Sequence, residues 1–128
     1  MKKILLAILL FSFGAATQAQ VQFEALTFTP QFPKVGQTVK FTYNKRLSSL
    51  IDEKKIELVV YLLDGAEYTV AEPKLTQAGT IFSGSFTLTD KAKSFAFAFS
   101  SGKEKDANGG KGYFIPVYNN KNEPVTDY

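Results

Sequence analysis

Phe95-Ala96-Phe97-Ala98-Phe99 decides the fold. Three phenylalanines recur at every second position, with alanine between them. Successive side chains of a strand point to opposite faces, so this run commits three rings to one side. A helix would scatter the same rings around its axis. Working outward, the same period-two pattern returns. Val39, Phe41 and Tyr43 alternate with Lys40 and Thr42, while Phe82, Phe86 and Leu88 alternate with Ser83, Ser85 and Thr87. Each run reads as a strand with one face in a core and one in water. Ile56 to Leu63 is apolar on both sides, which marks a central strand or one whose second face is covered.

Turn chemistry separates these runs. Pro30, Pro33 and Gly36 divide a first strand, Val21 to Thr29, from the second. Asp64-Gly65 predicts a hairpin between Ile56–Leu63 and Glu67–Glu72. Ala78-Gly79 precedes Thr80–Leu88, Asp90 to Lys93 leads into the phenylalanine strand, and Asn119 to Asn122 closes a run from Tyr113 to Tyr118. Pro116 lies inside that last run and demands an edge strand or a bulge. Gly102 to Gly112 reads as one long polar loop. The sole helical signal is a turn between Leu47 and Glu53, started by Ser48 or Ser49. The sum is about seven antiparallel strands, the pattern of an all-β, immunoglobulin-like sandwich, with a small barrel as the alternative.

Residues 1–19 are expected to lie outside that domain. Lys2 and Lys3 precede an apolar run from Ile4 to Phe13, and small residues through Ala19 follow, the layout of a cleaved signal peptide. Cleavage after Ala16 is the other choice. The run is too short to cross a bilayer as a helix, so no membrane span is expected after cleavage. Residues 20–128 then make one domain in the periplasm or outside the cell. Losing Lys2 and Lys3 takes Lys plus Arg from 15 to 13, against 12 Asp plus Glu. That near balance gives no reason to expect nucleic acid as a partner.

The chain has no Cys and no His. The usual thiol nucleophile, imidazole base and commonest metal ligand are therefore missing, and the expectation is a protein that is not an enzyme and holds no cofactor or metal. The most specific stretch is Lys105-Asp106-Ala107-Asn108-Gly109-Gly110-Lys111-Gly112-Tyr113. Asp106 and Asn108 ahead of Gly109 match half of a calcium loop, yet the next acid is Glu123, too far on to complete one. The plainer reading is a glycine-rich hairpin loop in which Asp106 and Asn108 cap local backbone amides. Asp106, Asn108, Lys111 and Tyr113 are the candidate ligand-binding residues. Phe95, Phe97 and Phe99 read as core, and Tyr43, Tyr61, Tyr68, Tyr113 and Tyr118 as the better material for a binding face.

Two resemblances follow from these residues. Phe28-Thr29-Pro30, Pro33-Lys34-Val35-Gly36-Gln37-Thr38-Val39 and Phe41-Thr42-Tyr43-Asn44 resemble the opening of the N-terminal immunoglobulin-like domain of envelope thioredoxin-fold proteins of the thiol–disulfide reductase type. Phe95–Phe99, Ser101-Gly102, Asp106–Tyr113 and Val117-Tyr118 continue it. The likeness implies an exported accessory or interaction domain in the bacterial envelope, whose partner is another protein or an attached thioredoxin-fold domain beyond Tyr128. That family's CxxC redox pair has no counterpart here. Phe97 to Tyr113 also resembles the last strands of starch-binding modules, with Asp106, Asn108 and Tyr113 matching. This second likeness implies a glucan-type polysaccharide partner bound by the Asp106–Tyr113 loop. Where those modules place a tryptophan beside the aspartate, this chain has Lys105 and Ala107.

Overall fold

One-sided burial turns each alternating run into a strand of one of two antiparallel sheets. The computed structural model describes residues 21–125, so the expected signal peptide lies outside the described residues. The strands are β1 (Leu26–Thr29), β2 (Thr38–Asn44), β3 (Glu57–Asp64), β4 (Glu67–Ala71), β5 (Thr76–Ala78), β6 (Ile81–Thr87), β7 (Ser94–Ser101), β8 (Glu104–Asp106) and β9 (Tyr113–Pro116). One sheet has the order β1-β2-β6-β5. The other runs β4-β3-β7, with β8 and β9 both on the far side of β7. This order is the Greek-key arrangement of an immunoglobulin-like sandwich with an extra strand beside the C strand.

The inward residues meet between the sheets. Val39, Phe41 and Tyr43 of β2 and Phe82 and Phe86 of β6 face Leu58, Val60 and Leu62 of β3 and Phe95, Phe97 and Phe99 of β7, all buried. Phe97 sits at the centre, its ring 5.1 Å from Phe41, 5.7 Å from Phe86 and 5.8 Å from Phe99. Such pairs add about 0.5–1.5 kcal/mol each beyond the area they bury. Gly84 of β6 is required by this packing, since a Cβ there would lie 2.9 Å from the Phe41 ring and 2.9 Å from the Lys74 carbonyl oxygen.

Four details differ from the sequence expectation. β1 begins at Leu26, not Val21, because Phe23 leaves this sheet to pack edge-on against Tyr113 of the other, with centroids 5.0 Å apart. The helical turn is a single 3₁₀ turn at Lys45–Leu47, and its cap is Asn44, whose side chain accepts from the Arg46 amide, not Ser48 or Ser49. Lys45 Nζ donates to the Glu53 carbonyl and pins the following loop. β5 is an unexpected three-residue edge strand hairpinned onto β6. The Gly102–Gly112 loop is also divided, since Glu104–Asp106 pairs with β7 as β8. These two short strands raise the count among the described residues from seven to nine. Pro116 ends β9, which pairs with β7 alone, as an edge strand requires.

Candidate functional site: the Asp106 loop and an uncovered sheet face

β8 and β9 lie end to end along one edge of β7. Phe99 pairs with Asp106 and Phe97 with Tyr113, so only Ala98 lies between those pairs. The six residues Ala107–Gly112 must therefore leave the ladder and return within two residues' rise. That forces the left-handed region: φ is 51° at Asn108, 66° at Gly109, 89° at Gly110 and 72° at Gly112. Glycine takes such values without a Cβ penalty, and asparagine is among the side chains that tolerate them best. The excursion is closed internally. The amides of Gly110 and Gly112 both donate to the Ala107 carbonyl at 2.9 Å, and Asn108 Nδ2 donates to the Gly112 carbonyl at 2.8 Å.

Asp106 holds this loop and the sandwich together. Its Oδ1 accepts from the Asn108 amide at 3.0 Å, the local cap expected from sequence. Its Oδ2 accepts from the hydroxyls of Tyr43 at 2.6 Å and Tyr113 at 2.5 Å. Tyr43 belongs to β2 in the opposite sheet, so one carboxylate oxygen bridges the two layers. Tyr43 also stacks on Phe99, with centroids 3.7 Å apart and planes 8° from parallel. All three residues are buried. Burial first, and donation to the Asp106 carboxylate second, push both phenols far above the ordinary tyrosine value of 10.0. Phenols held protonated in this way are donors at neutral pH, neither bases nor nucleophiles. The arrangement is a clasp.

The four candidate ligand residues thus separate. Asp106 and Tyr113 turn inward and satisfy each other. Asn108 is half-buried with its amide group committed to Gly112, and Lys111 is exposed. Asn108 and Lys111 line a shallow depression with Phe23, Glu24 and Phe114. Among the described residues no group of three or more His, Cys, Asp or Glu side chains is placed to hold a metal ion. Of the tyrosines read as binding-face material, Tyr43, Tyr113 and Tyr118 are buried, Tyr61 is half-buried, and Tyr68 is 61% exposed.

Exposed apolar side chains align elsewhere, on the outer face of the five-stranded sheet. Register aligns Val70, Tyr61, Ala96 and Phe114 in one row across β4, β3, β7 and β9. Tyr68, Leu63, Ser94 and Pro116 form the next row, and Val59 and Ala98 stand on its other side. Val70 is 51% and Phe114 59% exposed. The four-stranded sheet is the opposite case: its corresponding row is Thr27, Thr42, Ser83 and Thr76, all hydroxyls. Sequence reasoning noticed the second face of β3 but missed Phe114 and Val70. Phe114 was within reach, because its neighbours Tyr113 and Ile115 face the core and alternation turns it outward. No helix among the described residues is long and apolar enough to cross a membrane. No protein-family model matches the chain, and no curated protein matches it.

Proposed function

We propose that this chain is a non-catalytic accessory domain exported to the bacterial envelope, where the outer face of its five-stranded sheet docks a protein partner. The observation that carries this reading is the apolar row of Val70, Tyr61, Ala96 and Phe114, in which Val70 and Phe114 stand exposed beside exposed Tyr68, while the corresponding row of the other sheet is all hydroxyls. An antiparallel sandwich ordinarily keeps its outer faces polar, and apolar patches of this kind mark interaction sites. Export is supported by the layout of residues 1–19, and the role by resemblance to the N-terminal sandwich of envelope thioredoxin-fold proteins. The buried clasp supports a passive role, since its ionisable groups are spent on joining the sheets.

The test is production of the full chain in a bacterial host with a photo-crosslinking residue at Tyr68 or, as control, at Thr42. The expected result is a periplasmic product whose mass lacks residues 1–19, with adducts formed from position 68 and none from position 42. Full-length protein in the cytoplasm, or equal labelling from both faces, contradicts the proposal. A second reading, a glucan-binding module, draws on the depression beside Asn108, Lys111 and Phe114. Retardation by soluble glucans in affinity electrophoresis, abolished by Phe114→Ala, would favour it. Phe114 is the position to change, because Tyr113 is core.

A further inference from the structure

We infer that the partner of the apolar sheet face is a second copy of this chain, packed face to face about a two-fold axis parallel to the strands. The inference rests on the reading of that face as a protein-docking surface and adds the identity of the occupant.

The relief of the face is self-complementary. Val59, Tyr61 and Leu63 make β3 a ridge, while Ser94, Ala96 and Ala98 make β7 a trough beside it. Ala96 points outward yet is 7% exposed, because Tyr61 and Phe114 stand in register on either side of it. A two-fold axis along the strands, between β3 and β7, lays the ridge of each copy into the trough of the other. It also sets Tyr68 and Val70 of β4 over Phe114 and Pro116 of the other copy's β9. The perpendicular in-plane axis would instead press ridge on ridge. Isologous contacts of this kind use one patch twice, and stacked sheets keep their strands within about 30° of each other.

Charge at the rim agrees with the same operator. Glu72 is exposed just past the end of β4, beside Val59, whose neighbour Val60 pairs with Ala71. Lys111 is exposed in the loop that leaves the opposite edge across from Ala98. Val59 and Ala98 are themselves paired, so the two charges sit at one end of the face and on opposite sides of it. The strand-parallel axis brings Glu72 of each copy to Lys111 of the other, twice. Four strands about 4.8 Å apart and three rows about 7 Å apart give a footprint of roughly 400 Å² per copy. A standard stable interface uses about 800 Å² per partner, so the dimer is weak and reversible.

Sedimentation velocity of the exported chain tests this from about 5 µM to about 1 mM, the range in which a contact of this size associates. The mass should climb toward twice the monomer with concentration. Ala96→Arg, which fills the trough, should hold it at the monomer while keeping the wild-type urea midpoint. Glu72→Lys should weaken association at least tenfold, and adding Lys111→Glu should restore it, a rescue that a misfolded variant cannot show. A monomer at about 1 mM, or a dimer indifferent to Ala96→Arg, overturns the inference. Crosslinking from position 68 separates its failure from that of the docking reading. An adduct of two copies supports both. An adduct with a different protein alone overturns the dimer and leaves docking standing, and no adduct sinks both.

Discussion

Replacing Asp106 by alanine should remove a large share of the stability of this fold. The carboxylate accepts three hydrogen bonds, from the Tyr43 hydroxyl, the Tyr113 hydroxyl and the Asn108 amide. Alanine leaves two hydroxyls without their acceptor on residues that are 0% and 2% exposed. Each buried polar group deprived of its partner costs about 1–3 kcal/mol, and the half-buried amide less, so the loss is about 3–5 kcal/mol. Domains of this length have only about 5–15 kcal/mol in total. At about 4 °C per kcal/mol the melting temperature should fall by roughly 12–20 °C. Urea unfolding followed by circular dichroism is the assay, with the m-value checked for constancy. Tyr43→Phe or Tyr113→Phe leaves the carboxylate two of its three donors and should cost less, about 1–3 kcal/mol. A loss below about 1 kcal/mol for Asp106→Ala, the range of an ordinary surface change, would refute the reasoning.

Alkaline pH should attack the same clasp. Folding raises both phenols above their ordinary value of 10.0, so it favours the protonated form. Their contribution is whole below about pH 10 and is lost as pH rises above it, by up to about 1.4 kcal/mol per tyrosine per pH unit. Urea midpoints measured from pH 8 to pH 12 should fall more steeply for the wild type than for Tyr43→Phe/Tyr113→Phe. Phe97→Ala opens a hole where the Phe41, Phe86 and Phe99 rings meet and should cost about 3–5 kcal/mol in the same unfolding assay. Gly84→Ala should cost about 1–3 kcal/mol, because the new methyl meets a ring and a backbone carbonyl at 2.9 Å, and equal stability would show that this strand can give way.

The parts of this structure legible in its sequence are those in which one residue's environment repeats two positions on. Phe95, Phe97 and Phe99 announce a strand because burying one face forces the period, and Pro116 announces an edge because it lacks an amide proton. β5 and β8 carry no such mark. Each is three residues of mostly polar side chains, made a strand only by a neighbour's ladder. The site divides in the same way. The Asp106 cap on Asn108 spans two residues and could be read from Asp-Ala-Asn. The bond from Asp106 to Tyr43 spans 63 positions and crosses between sheets, so local pattern holds no trace of it. That bond is also why Tyr113, whose hydroxyl suggested a wetted surface, lies in the core: the carboxylate supplies the partner that water would have given.

Tyrosine Cζ chemical shifts followed through a pH titration of the intact protein test the clasp most directly. Tyr43 and Tyr113 should stay at their protonated positions well above the ordinary tyrosine value of 10.0, until the chain unfolds, because burial and donation to Asp106 raise both phenols. Tyr43 and Tyr113 titrating at the ordinary tyrosine value of 10.0 in folded protein would mean that no buried carboxylate joins the two sheets.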